Sequence, residues 1–222
     1  MRQLFVGLIA EGNTDVRFLR TVVYKSVIDI SWECDNEVEV FDIRDIDAVG
    51  DTFVSKMLDG AYKASTVLGV SMICVHADSD HKTADAVIQN KFEPLFLELE
   101  KVNDEDYCKH IVPTIPIQMI ESWMLADKGL LKQLINANDI RDVDLGLERA
   151  PELYSDPKAA IENAIRIAME RQPKKKRDQI RISDLYELLG TRLSLDKLRA
   201  IPSFCHFESE VRRVFRDMGL IR

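Results

Sequence analysis

Glu11, Asp78 and Asp80 are the residues in this sequence best placed to do chemistry. Each follows a short apolar run: Glu11 closes residues 4–10 (LFVGLIA), and the Asp78-Ser79-Asp80 segment closes residues 70–77 (VSMICVHA). A turn or cap role would account for any one of these acids, since aspartate is a common turn former. Capping does not, however, require three acids at the ends of two buried strands. Carboxylates held close together repel and raise one another's pKa unless a cation neutralises them. Oxygen donors without Cys or His at ligand spacing favour Mg²⁺ or Mn²⁺ over Zn²⁺, and such an ion keeps waters and open positions for a phosphate. Residues i and i+2 of an extended chain point the same way, so Asp78 and Asp80 are expected to face one cation while Glu11 reaches across from the neighbouring loop.

The elements that must position these acids follow from periodicity. Continuous apolar runs suit strands buried on both faces. Residues 4–10, 38–43 and 70–77 read as such strands, with a fourth at 110–117 that Pro113 and Pro116 confine towards an edge. Between them lie helical stripes: Val16, Leu19, Val22, Val23 and Val27, with Asn13 or Thr14 as cap; then Val49, Phe53, Met57 and Ala61; then Val87, Ile88, Phe92, Leu95, Phe96 and Leu99. Strand alternating with helix predicts a mostly parallel sheet covered on both faces. Right-handed crossovers bring all strand C-termini to one edge, so the loops after the first and third strands meet there if those strands are neighbours.

Beyond Met119 the strand signals stop. Helices are expected near residues 121–126, 130–136, 159–171, 182–189 and 208–218. The organisation predicted is an α/β domain over residues 1–118 and a helical extension over 119–222 packed on it. The four cysteines stand singly, without paired spacing, and read as reduced thiols. No apolar stretch approaches the length of a membrane span, and the short run after Arg2 has no cleavage signal, so a cytoplasmic protein is expected. The net charge of −8 conceals an asymmetry: residues 1–118 carry 11 Lys/Arg against 21 Asp/Glu, and residues 119–222 carry 19 against 17. An acidic, metal-loaded centre beside a phosphate-contacting surface is compatible with that division.

Several further residues are candidates. His76 shares strand parity with Asp78 and would line the same site, although a satisfied buried histidine is the commoner case. His81 and Lys82 follow the acidic pair on the active edge. Lys158, after Asp156-Pro157, stands at a helix N-terminus, where backbone N–H groups and a lysine together suit an anion. Lys174, Lys175, Lys176 and Arg177, flanked by Arg171 and Arg181, form a basic run suited to phosphate contacts, without interleaved aromatics for base stacking. Trp123 reads as a core anchor.

Glu11-Gly12-Asn13-Thr14-Asp15 after a first strand, with Asp78-Ser79-Asp80 after a third, resembles the Toprim fold, a Rossmann-like sheet with strand order 2-1-3-4. Together with the segment from Ile115 through Glu121 and Trp123 to Asp127, the pattern resembles the small stand-alone Toprim-like proteins of the DUF4276 group, related to the nuclease domains of the OLD family. The resemblance implies that Glu11 serves as metal ligand or general acid and base, and that Asp78 and Asp80 ligate Mg²⁺. It also implies that Glu121 matches an acid after the fourth strand that completes a second metal site, where two cations would flank a phosphate. Topoisomerase activity is not expected, because this chain is too short to contain the tyrosine-bearing domain. Primase activity is not expected either, since no zinc-binding cysteine pattern occurs.

The function expected is thus a Mg²⁺- or Mn²⁺-dependent nuclease or phosphodiesterase acting on DNA or RNA. The resemblance adds an ATPase partner and a defence or repair setting. The sequence itself contains no phosphate-binding G-x-x-x-x-G-K-[ST] loop. A non-catalytic, metal-stabilised binding subunit is the alternative. A phosphoacceptor or phosphatase domain fits poorly, because those folds carry paired acids after strand one, where this chain has a lone glutamate.

Overall fold

The computed structural model describes residues 1–170 and 180–222. The first apolar run forms two in-line strands, β1 (Arg2–Leu4) and β2 (Val6–Ile9), interrupted at Phe5. They pair with β3 (Val38–Val40) and β4 (Arg44–Asp45) respectively. At the interruption the rings of Phe5 and Phe41 stack at 4.5 Å, and the Arg44 guanidinium lies 4.5 Å above Phe5. β5 (Met72–His76) and β6 (Ile111–Thr114) complete a parallel four-stranded sheet of order β4-β2-β5-β6. Pro113 lies within the edge strand β6, where a missing backbone donor is tolerated.

Strand alternation divides the apolar side chains between two cores. Val6, Leu8, Met72, Cys74 and Val112 face α1 (Asn13–Ser31), whereas Ile9, Ile73, Val75 and Ile111 face α2 (Phe53–Thr66) and the helix before β6. His76 shares parity with Met72 and Cys74, which brings it to the α1 side. The first helix begins one residue earlier than its expected caps: Gly12 is the N-cap, and the Asp15 carboxylate accepts its N–H at 3.0 Å. The second helix does not include Val49, which is exposed. It starts after Thr52, whose hydroxyl accepts the Ser55 N–H at 3.1 Å.

The helix between β5 and β6 is not uniform. It runs as α3 (Asp85–Val87), a π turn over Ile88–Phe92 and α4 (Glu93–Leu99). Pro94 has no N–H to give to the preceding turn, and Glu93 instead donates to Ile88 five residues back. The π turn carries Lys91.

The C-terminal half is helical, as α5 (Glu121–Met124), α6 (Lys128–Leu134), α7 (Asp142–Leu145), α8 (Pro157–Glu170), α9 (Ile182–Arg192), α10 (Leu195–Leu198) and α11 (Pro202–Asp217). These helices share one continuous core with α1 and its face of the sheet, including Phe18, Leu19, Trp123, Leu189, Phe204 and Phe215. Trp123 is fully buried there against Phe204 and Phe207, with its indole N–H donating to Ser203 at 2.8 Å. α9 is fastened to α1 through a side chain of the latter. Lys25 donates to the carbonyls of Gly190, Thr191 and Leu193 at 3.0, 2.6 and 3.0 Å, closing the C-terminus of α9. No described helix is long and apolar enough to cross a membrane.

Candidate functional site

The C-terminal edge of β2, β5 and β6 collects four elements: the N-terminus of α1, the loop after β5, the start of α5 and the middle of α9. At its centre is His76, with 1% of its surface exposed. Its Nε2 lies 3.1 Å from Asp78 Oδ1, and its Nδ1 lies 4.0 Å from Asp15 Oδ2 without a hydrogen-bond partner among the described residues. Burial opposes the charged imidazolium, but Asp78, Asp15 and Glu11 outweigh it and raise the His76 pKa.

The acids around it are poorly solvated. Burial raises the Asp15 carboxyl; His76 pulls it down and Asp78 pushes it further up. Glu121, only 4% exposed, is likewise raised by burial, partly offset by a hydrogen bond from the Tyr186 hydroxyl, with a further push from Asp78 and a counter-pull from Lys158. The phenol itself is pushed well above its ordinary range by burial, by Glu121, and by the fields of Asp15 and Asp78. Asp78 thus acts on His76, Asp15, Glu121 and Tyr186, and the second half of the chain contributes Glu121, Tyr186 and Lys158 to the cluster.

The loops that carry these groups are joined backbone to backbone beyond the sheet. Ser79 N–H donates to Pro116 O at 3.2 Å and Asp80 N–H to Gln118 O at 2.9 Å. The buried Ser79 hydroxyl donates to His81 O at 2.7 Å and accepts the Gln118 N–H at 2.7 Å. Asp80 and Gln118 both adopt left-handed backbone, with φ of 53° and 63°. The expected common direction of Asp78 and Asp80 rests on extended chain, from which the backbone departs at Asp80; Asp80 is exposed and Asp78 half-buried.

Glu11 is also exposed, and its Oε1 accepts from Lys91 Nζ at 3.0 Å. His81, Lys82 and Lys158 are exposed at the same edge, Lys158 within electrostatic reach of Glu121. The basic residues Lys174, Lys175, Lys176 and Arg177 lie outside the described residues. Among the described residues, no three His, Cys, Asp or Glu side chains are disposed as a ready metal cage. Instead each acid is held by a neighbour, Asp78 by His76, Glu121 by Tyr186 and Glu11 by Lys91.

Sequence reasoning missed Asp15 and Tyr186. Asp15 had a signal, as the fourth residue of a Gly-x-x-Asp helix start at the end of a strand. Tyr186 had none, since no spacing ties it to residues more than sixty positions away. No family model, curated protein or solved structure matches the chain.

Proposed function

We propose that this edge is the active site of a Mg²⁺- or Mn²⁺-dependent phosphodiesterase that cleaves DNA or RNA. The observation that carries the reading is the buried His76, whose Nδ1 has no hydrogen-bond partner among the described residues, set beside the acids Asp15, Asp78 and Glu121. A divalent ion would offset the burial and the lesser repulsion from Asp78 that raise the Asp15 and Glu121 carboxyls, and their oxygen donors are of the chemistry that such an ion takes. Asp78 and Glu121 would hold it, with Glu11 and Asp80 at the exposed rim as further ligands. Bound there, the ion would supply charge neutralisation at a phosphate oxygen.

The chain's own residues have separable tasks in this reading. His76, fixed by Asp78 and faced by Asp15, holds a proton beside the reacting phosphate. Tyr186 orients Glu121, and Lys158 faces the substrate's charge together with His81, Lys82 and the basic run from Lys174 to Arg177. The all-parallel order β4-β2-β5-β6, with acids at the ends of β2 and β5, supports a Toprim-like arrangement. The reading includes an ATPase as a separate partner protein.

Purified protein incubated with plasmid and with RNA in Mn²⁺, beside Asp78→Asn and Glu121→Gln, tests it. Cleavage by the wild type and none by either variant is the result expected; equal cleavage by all three would overturn the assignment. The alternative, a metal-stabilised binding subunit, draws support from Trp32, which is 85% exposed beside Tyr24, Leu193 and Leu195. Intact substrates with a Mn²⁺-dependent rise in wild-type Tm would favour it.

A further inference from the structure

A cleft of about 680 Å³ opens at the same sheet edge, on the side of β2 away from the acidic cluster. β2 lies between β5 and β4. The acids occupy the β2/β5 side, whereas the cleft lies between the ends of β2 and β4, walled by the first turns of α1 and by α2. Its charged and polar lining is Glu11, Asn13, Arg17, Arg20, Asp47 and Lys56, with Asp45 beside Arg20. Glu11 separates the two sites.

The charges in this lining are not all spent. Arg20 is bound by the Asp45 carboxylate, and Glu11 by Lys91. The side chains of Arg17 and Lys56 have no hydrogen-bonding or ionic partner among the described residues, and they reach the cleft from two different helices. Against them stands the exposed Asp47 carboxylate, so the unpaired lining charges sum to one positive. Asn13 and Arg17 are four residues apart on α1 and share a face. Asn13 opens this nineteen-residue helix, whose free N–H groups add positive potential, and Arg17 stands one turn on. A guanidinium fork, an ammonium and a helix start around one cleft suit a phosphate oxygen pair. The volume falls within the range of about 300–1,000 Å³ of small-ligand sites, which is room for a nucleotide unit.

We propose that this cleft seats the phosphate next to the scissile one, with Arg17 and Lys56 as its contacts, so that the substrate strand crosses the end of β2. This rests on the phosphodiesterase reading and adds the direction in which the strand leaves the site. It also separates two jobs that the sequence alone would give to the basic run: the cleft sets register, because its cations stand on rigid helices.

Binding of a short labelled single-stranded DNA, read by fluorescence anisotropy in Ca²⁺ over a salt series, tests it on the full chain. Removing one cation that neutralises a phosphate lowers the slope of log K against log salt by about 0.7. The double variant Arg17→Ala/Lys56→Ala is expected to lose about 1.4 of slope, and to raise KM in Mn²⁺ while leaving kcat near the wild-type value. Lys101→Ala, beyond α4 at the opposite edge of the sheet, is expected to change neither. An unchanged slope in the double variant, with wild-type Tm, overturns the cleft and leaves the phosphodiesterase reading intact. An equal fall in Lys101→Ala overturns it as well, by showing a diffuse charge effect. Binding that depends on Arg17 and Lys56 without any cleavage in Mn²⁺ would instead remove the catalytic reading and keep the cleft. A wild type that binds neither this DNA nor a single-stranded RNA of the same length at low salt overturns both.

Discussion

The Tyr186 hydroxyl, carried on α9, donates a hydrogen bond to Oε1 of Glu121, the acid that opens α5. One partner is a buried carboxylate and the other comes from a different part of the chain, so this contact couples the packing of the helical half to the state of the site. Tyr186→Phe keeps the ring and removes the donor. A buried acceptor left unmatched costs about 1–3 kcal/mol. The loss is expected in urea unfolding at pH 8, and it should shrink at pH 5, where Glu121 is closer to its neutral form. An equal loss at both pH values would mean that Tyr186 contributes packing alone.

Burial raises the Glu121 carboxyl above its ordinary value of 4.5, and Asp15 above 3.8. The sign of the resulting pH dependence follows from linkage. A carboxyl whose folded pKa exceeds its unfolded pKa binds more protons in the folded state, so stability falls as pH rises between the two values and the penalty is constant above the higher one. Wild-type Tm is therefore expected to decline as pH climbs upwards from about the ordinary carboxyl range. Glu121→Gln, which cannot ionise, should be flatter and more stable at neutral pH. Mn²⁺ should raise the wild-type Tm most at the high end of this window and the variant's least. A variant that follows the wild-type curve would place the destabilising charge elsewhere.

Gly190 of α9 lies so close to α1 that an added Cβ would meet the Phe18 carbonyl oxygen at 2.7 Å. Backbone cannot swing aside as a side chain does. Gly190→Ala must push α9 away from α1, and with it Tyr186, four residues earlier on the same helix. Overpacking of this kind costs about 1–3 kcal/mol, and the displacement should weaken Mn²⁺ binding beyond what the stability loss explains. Lys25→Met loosens the same helix by removing the donor to three carbonyls, without steric conflict. If Gly190→Ala loses stability but titrates Mn²⁺ as the wild type does, α9 does not govern the site.

The parallel sheet was legible because its strands are continuous apolar runs, and a run such as residues 70–77 has few other ways to be buried. The acid-bearing edge was legible for the same reason, since parallel topology sends every strand C-terminus one way. Local backbone was not. The left-handed turn at Asp80 carries no residue signal stronger than Asp itself, and the π turn holding Lys91 against Glu11 arises from Pro94, whose effect on a helix ladder depends on what the preceding carbonyl finds instead. The Val49 stripe misled because Thr52-x-x-Ser55, a cap, outweighed one more apolar residue at helical spacing. Tyr186 needed the tertiary contact itself, formed because α9 packs on α1.

Ser79 joins the loops that carry the site more directly than any acid in it. Its hydroxyl, in a residue only 2% exposed, donates to His81 O and accepts from Gln118 N, and so fixes the loop after β5 to the loop before α5. Asp78 is its neighbour on one side, and Glu121 follows Gln118 by three residues on the other. Ser79→Ala removes these two bonds, and a third that the hydroxyl accepts from His81 N–H at 3.3 Å, while filling nearly the same volume. Gln118 N–H retains His81 O at 3.1 Å, so the loop should remain folded but less constrained. The expected stability loss is about 1–3 kcal/mol, and loss of outer support of this kind typically lowers metal affinity about 10–100-fold. Calorimetric titration with Mn²⁺ checks it, with Ser65→Ala as the control: Ser65 Oγ donates to Glu105 O on the far side of α2 and touches neither loop. Matching Mn²⁺ affinities for Ser79→Ala and the wild type would mean that the two loops hold Asp78 and Glu121 in place without this hydroxyl.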